Sequence, residues 1–157
     1  MESWRIIFRD GFAPSLSTKG LLALRDGLHS DDARLTQGMT TMPLMTSARA
    51  EWPCEGACAL GYAAWQGGDR RSVSEVDEFF AMCCWEADDR LGEANACREF
   101  LNWHDDTPRN EMIADLLAEV ELELAHRLPP PEPKLRKSAL KPAPSRPRLV
   151  ESTTPTF

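Results

Sequence analysis

Two cysteines, Cys54 and Cys58, lie four residues apart in the stretch EWPCEGACALGYAAWQGG. If that stretch is helical, four residues make about one turn and both thiols project from the same side. Such a pair would supply half of a tetrahedral zinc site, to be completed by Cys97 and His104. No second closely spaced Cys/Cys or Cys/His pair follows it, and the alanines and glycines around Cys58 fit equally a pair of small, packed hydrophobes. Cys83 and Cys84 are adjacent, so on a helix they point about 100° apart and cannot share a ligand sphere. The carboxylates around them (Asp77, Glu78, Glu86, Asp88 and Asp89) disfavour a reactive thiolate.

The densest polar constellation is WHDDTPR, with His104, Asp105, Asp106 and Arg109 close behind Trp103. As an active site it would use His104 as general base, Asp105 or Asp106 to orient it, and Arg109 to hold an anion. As a structural junction it would use the two carboxylates to favour the start of the following helix, leaving His104 as a loop residue. The acidic run WEADDRLGEA lacks the alternating oxygen ligands and central glycine of a calcium loop, and Glu86 and Arg90 are spaced to pair across one turn. Neither a Gly-rich phosphate loop nor a G-x-S-x-G nucleophile turn occurs. Among five tryptophans, Trp65, Trp85 and Trp103 are candidates for lining a contact surface, core packing being the alternative.

These groups must be positioned by elements that the same sequence predicts. The start, SWRIIFRDGF, reads as a short strand from Trp4 to Phe8 closed by a turn at Asp10 and Gly11. Leu21, Leu24 and Leu28 recur at helical spacing behind an N-cap at Ser17 or Thr18. The segment from Thr36 to Ser47 reads as a loop with Met39, Met42 and Met45 laid over the core. A helix is predicted to begin with Pro53 and run to about Trp65, stopped by Gly67 and Gly68, with Ala57, Gly61 and Ala64 forming a face that admits a close neighbour. Ser72 and Glu75 form a capping box for a helix carrying Val76, Phe79 or Phe80, Cys83, Ala87 and Leu91, ended by Gly92. A shorter helix from Glu93 presents Cys97, Phe100 and Trp103. Thr107 and Pro108 then open a helix with Ile113, Leu116, Leu117, Val120 and Leu124 on one stripe.

The sum is a mainly α-helical bundle of four or five helices over residues 1–128, with one short N-terminal strand as an option. Residues 129–157 hold eight prolines and almost no aromatic side chain, a composition that predicts a disordered tail. Within that tail KPAPSRP has the spacing of a basic polyproline ligand. The formal charge of −7 conceals an asymmetry. The tail carries six Lys/Arg against Glu132 and Glu151, net +4, which leaves −11 for the body. An acidic body repels phosphate backbones, so nucleic-acid binding by the folded part is not expected.

An odd count of five cysteines and the absence of a basic-plus-apolar leader predict a cytoplasmic protein without a disulfide framework. The apolar runs fall short of the ~18 residues that span a bilayer. The phrases LLALRDGLHSDDARLTQGMTT, WPCEGACALGYAAW, EVDEFFAMCCWEADDRLGEANACREFLNW and DDTPRNEM resemble a family of small, uncharacterised bacterial proteins. That resemblance implies a single cytoplasmic domain and no particular activity. The expectation is an interaction or accessory protein that needs no cofactor and contacts a protein partner, with a second copy of itself as an alternative. The competing readings are a zinc- or thiol-dependent protein built on Cys54, Cys58, Cys97 and His104, and a small enzyme centred on His104, Asp105, Asp106 and Arg109.

Overall fold

The computed structural model describes residues 2–47 and 49–129; of the predicted tail, everything after Pro129 lies outside the described residues. Helix α1 (Ser3–Ile6) passes without a break into a π-helical segment (Ile7–Phe12) and a 3-10 turn (Ala13–Ser15). Then come α2 (Thr18–His29), the two-residue strands β1 (Thr41–Met42) and β2 (Gly56–Ala57), α3 (Ala59–Gln66), α4 (Val73–Leu91), α5 (Cys97–Asp106) and α6 (Arg109–Arg127). The architecture is all-α, as expected, with six α-helices among the described residues and one minimal antiparallel sheet in which Thr41 faces Ala57 and Met42 faces Gly56.

The N-terminal segment is helical rather than a strand. Trp4, Ile7, Phe8 and Phe12 are all buried, and their spacing of three and four is that of one helical face, which leaves Ile6 outside at 41% exposure. Asp10 and Gly11 fall inside the π-helical stretch instead of forming a turn, and the Ala13 N–H closes that stretch onto the Phe8 carbonyl. The whole segment threads between α4, α5 and α6, so it forms part of the core from its first turn.

Later elements follow the expected capping chemistry. The Gly20 N–H donates to Ser17 Oγ at 2.9 Å, starting α2. At α4 the Glu75 N–H donates to Ser72 Oγ at 3.1 Å, while the Glu75 carboxylate accepts from the Arg71 N–H, one residue before the cap. Gly92 ends α4 in the left-handed conformation, φ 67°. The buried stripe of α4 is Val76, Phe79, Cys83 and Ala87. Glu86 and Arg90 pair at 3.4 Å.

Three boundaries differ from expectation. The predicted helix from Pro53 starts only at Ala59, because Pro53 bridges to Ser72 and Gly56–Ala57 pairs with β1. The shorter helix begins at Cys97 rather than Glu93. At α6 the cap is Pro108 rather than Thr107, and no side chain makes a capping hydrogen bond there. On α6 itself Met112, Leu116, Glu119, Val120 and Leu124 are buried, whereas Ile113 and Leu117 are only partly so.

Helix α3 is approached closely by α4 at Gly61 and by α2 at Gly27. A Cβ on Gly61 would lie 2.8 Å from Val76 Cγ1, which accounts for the bulk-free face predicted there. At Gly27 a Cβ would lie 2.5 Å from the Tyr62 ring, whose hydroxyl donates to Asp32 Oδ2 at 2.8 Å. Gly27→Ala is therefore expected to destabilise the fold by about 2 kcal/mol, overpacking outweighing alanine's better helix propensity of ~1 kcal/mol. Denaturant unfolding monitored by circular dichroism checks this; unchanged or greater stability would show that the ring swings aside freely. Among the described residues no helix is long and apolar enough to cross a membrane.

Candidate functional site

The residues of WHDDTPR sit where α5 turns into α6. Asp105 and Asp106 close α5 rather than preceding the next helix, and His104 lies inside α5, only 1% exposed, instead of in a loop. Helical spacing from Phe100 explains that burial, since residue i+4 shares its inward face; the two rings are 6.0 Å apart.

His104 Nδ1 is 2.9 Å from Asp105 Oδ1, which also accepts from the Gly38 N–H at 2.9 Å. Burial pushes the Asp105 carboxyl up, but hydrogen bonds from the imidazole and from Gly38 outweigh it and hold the group below the usual carboxylate range. An ionised carboxylate only accepts, so the proton between them belongs to Nδ1. Nε2 is buried and has no hydrogen-bond partner among the described residues. A general base needs that nitrogen within reach of a substrate proton.

Gln37 continues the junction by donating from Nε2 to the carbonyls of His104, 2.7 Å, and Thr107, 2.8 Å. Arg109 is committed as well. Its Nε donates to Asp31 at 2.7 Å, and its two terminal nitrogens donate to the carbonyls of Leu35, 2.8 Å, and Asp32, 2.9 Å. The constellation thus clasps the α2–β1 connection, residues 31–38, to the α5–α6 turn. Arg109 spends its fork on a carboxylate and two carbonyls, so it does not present that fork to a free anion. Asp106 is exposed.

A cavity of about 180 Å³ opens beside the clasp, lined by Gly38, Met39, Thr40, Cys58, Phe80, Leu101 and Asp105. Cys58 caps α3, and N–H groups of Leu60 and Gly61 favour its thiolate, yet burial dominates and pushes the thiol up to about 11. The thiol is therefore protonated at neutral pH and a poor nucleophile. Cys83, Cys84 and Cys97 are also raised, burial being the leading cause in each.

Cys54 and Cys58 do not share a helical face, because Cys54 lies in extended chain before α3 and its thiol donates to the Gly56 carbonyl at 3.1 Å. Cys97 begins α5 beside Asp88 of α4, its N–H donating to that carboxylate at 2.8 Å. Among the described residues no group of three or more His, Cys, Asp or Glu side chains is placed to hold a metal ion, so Cys54, Cys58, Cys97 and His104 do not converge on one ligand shell.

The three candidate contact tryptophans separate sharply. Trp103 stacks on Trp4, with centroids 3.4 Å apart and planes 5° from parallel. Trp65 is half-buried, edge-on to Tyr62 and under the Arg34 guanidinium at 5.5 Å. Trp85 is 69% exposed on the outer side of α4, where Met82, one turn earlier, is 40% exposed. Glu78 and Asp89 are exposed on the same stripe, four residues to either side of that pair.

Sequence reasoning missed Glu119. It is 1% exposed on α6 and accepts from Arg5 Nη1 at 3.0 Å, from Arg9 Nε at 2.5 Å and from Arg9 Nη2 at 2.9 Å. The available signal was the pair Arg5 and Arg9, four residues apart beside the apolar Trp4, Ile7, Phe8 and Phe12. Comparison of the chain with protein-family models, with curated proteins and with solved structures finds no match.

Proposed function

We propose that this chain is a non-enzymatic interaction protein whose contact surface is the outer face of α4. The supporting observation is Trp85, which leaves most of a large indole in water with Met82 beside it and carboxylates at both ends of the stripe. An exposed aromatic anchor within a charged rim is the anatomy of a contact hot spot. Of the groups that would argue for an enzyme, His104 Nε2 is shut inside the clasp, Asp105 Oδ1 accepts from His104 and Gly38, and the Arg109 fork is spent on Asp31 and two carbonyls. The chemistry of the face selects the partner: a basic protein segment carrying a proline or aliphatic anchor, whose cations meet Glu78, Asp89 and the indole face. Five unpaired cysteines fit a reducing compartment such as the cytoplasm.

The test is a peptide-display selection with the full chain as bait and a Trp85→Ala chain for counter-selection. Recovered peptides are expected to combine Lys or Arg with a proline or aliphatic residue, to weaken with added salt, and to bind the Trp85→Ala chain about ten-fold less well. Peptides that bind both chains equally, or a selection that recovers none, would overturn the proposal.

A further inference from the structure

We infer that, in the isolated chain, the outer face of α4 is occupied by the protein's own basic segment, residues 130–157, which a partner must displace. This inference rests on the contact face proposed above and names its resident competitor.

Charge is the first argument. Helix α4 carries Glu75, Asp77, Glu78, Glu86, Asp88 and Asp89 against Arg90 alone, 1 minus 6, or −5. The segment beyond Pro129 carries Lys134, Arg136, Lys137, Lys141, Arg146 and Arg148 against Glu132 and Glu151, or +4. Leu135, Leu140 and the interspersed prolines supply the apolar surface that Trp85 and Met82 lack.

The second argument is where the described chain ends. Arg127 anchors the last turn of α6 by donating to the carbonyls of Leu16, 2.6 Å, and Ala13, 2.7 Å. The adjoining Ser15 hydroxyl bonds the Glu86 carboxylate, and Arg90 donates to the Gly11 carbonyl at 2.7 Å. The segment therefore departs from the side of the molecule where α4 shows Glu86, the residue after Trp85. From Leu128, Lys134 reaches ~20 Å and Lys141 ~40 Å if extended. The stripe from Glu78 to Asp89 is only ~16 Å long. Tethering at that distance gives an effective concentration of the order of millimolar, so an affinity too weak to persist between separate molecules still occupies the face.

The experiment compares the full native chain with a full chain carrying Lys134→Glu, Arg136→Glu, Lys137→Glu and Lys141→Glu. The Trp85 indole N–H resonance, assigned through Trp85→Phe, reports the face, and the other four indoles serve as internal references. Trp85 alone is expected to shift in the charge-reversed chain, and the native chain is expected to approach that position at about 1 M salt, where the screening length falls to ~3 Å. A synthetic peptide of residues 130–157 should bind the charge-reversed chain about ten-fold more tightly than the native chain, whose face is already filled. An unmoved Trp85 resonance, or equal peptide affinity for both chains, would overturn self-occupancy. If displayed basic peptides still depend on Trp85 while the segment has no effect, the contact face stands and only its resident falls. A segment effect beside a selection indifferent to Trp85 rejects the external partner instead.

Discussion

Replacing Phe100 with alanine is expected to lower the stability of the fold by about 3–5 kcal/mol, the range for removing a buried aromatic ring from a packed core. Phe100 is 1% exposed and stands among Trp4, Phe8, Phe12, Trp103 and His104, with ring centroids between 5.0 and 6.4 Å away. Its neighbours come from the N-terminal helical segment and from α5, so the cavity would open where those two meet rather than at an edge able to collapse. Aromatic pairs add about 0.5–1.5 kcal/mol beyond the area they bury, and the substitution removes several at once. Chemical denaturation of Phe100→Ala beside Phe100→Leu tests this. A loss below about 1.5 kcal/mol in the alanine variant would mean that the neighbouring rings close the gap.

The second large effect is expected at Glu119. Glu119→Ala should cost about 3 kcal/mol, since it deletes charge-assisted hydrogen bonds from two arginines and leaves a hole on the inner face of α6. The pH dependence separates the charge from the packing. Burial pushes the Glu119 carboxyl up, but hydrogen bonds from Arg9 and Arg5 overcome it and hold the group below its ordinary value of 4.5. A depressed folded pKa contributes stability that is fully present above the unfolded value and lost as pH falls through the folded one. The native chain should thus lose this contribution on acidification below about pH 4.5. In an Arg5→Met/Arg9→Met variant only burial remains, the carboxyl moves up, and the sign reverses: that variant should gain stability relative to the native chain as pH falls. Parallel denaturation curves from pH 7 to 3 decide the matter, and equal slopes for both chains would reject the role given to the two arginines.

How far such features can be read from sequence depends on whether their cause is local. Helix α4 was legible because its cap at Ser72 and Glu75, its buried stripe and its left-handed stop at Gly92 all act within one turn of the residues that announce them. Trp4–Phe8 was misread because four apolar residues in five suit a buried strand as well as a helix, and only Phe12, one turn further on, keeps the helical spacing. The chain from Pro53 to Cys58 is extended because of partners at Thr41, Met42 and Ser72, and no periodicity inside the segment shows them. Glu119 is a charged residue in a buried position, and the arginines that make this tolerable lie 110 and 114 residues away in sequence. The polar group at His104 was visible, but its purpose was not, since Gln37, Gly38 and the carbonyls of Asp32 and Leu35 belong to a connection far upstream.

The long separation between Arg5 or Arg9 and Glu119 also has a consequence for how the molecule comes into being. Trp4, Ile7, Phe8 and Phe12 are synthesised well ahead of α5 and α6, the helices that cover them. Until α6 has cleared the exit tunnel, those side chains lack the cover they have in the finished fold. Non-local closure of this kind is slow relative to local helix formation and leaves apolar surface open in the interval.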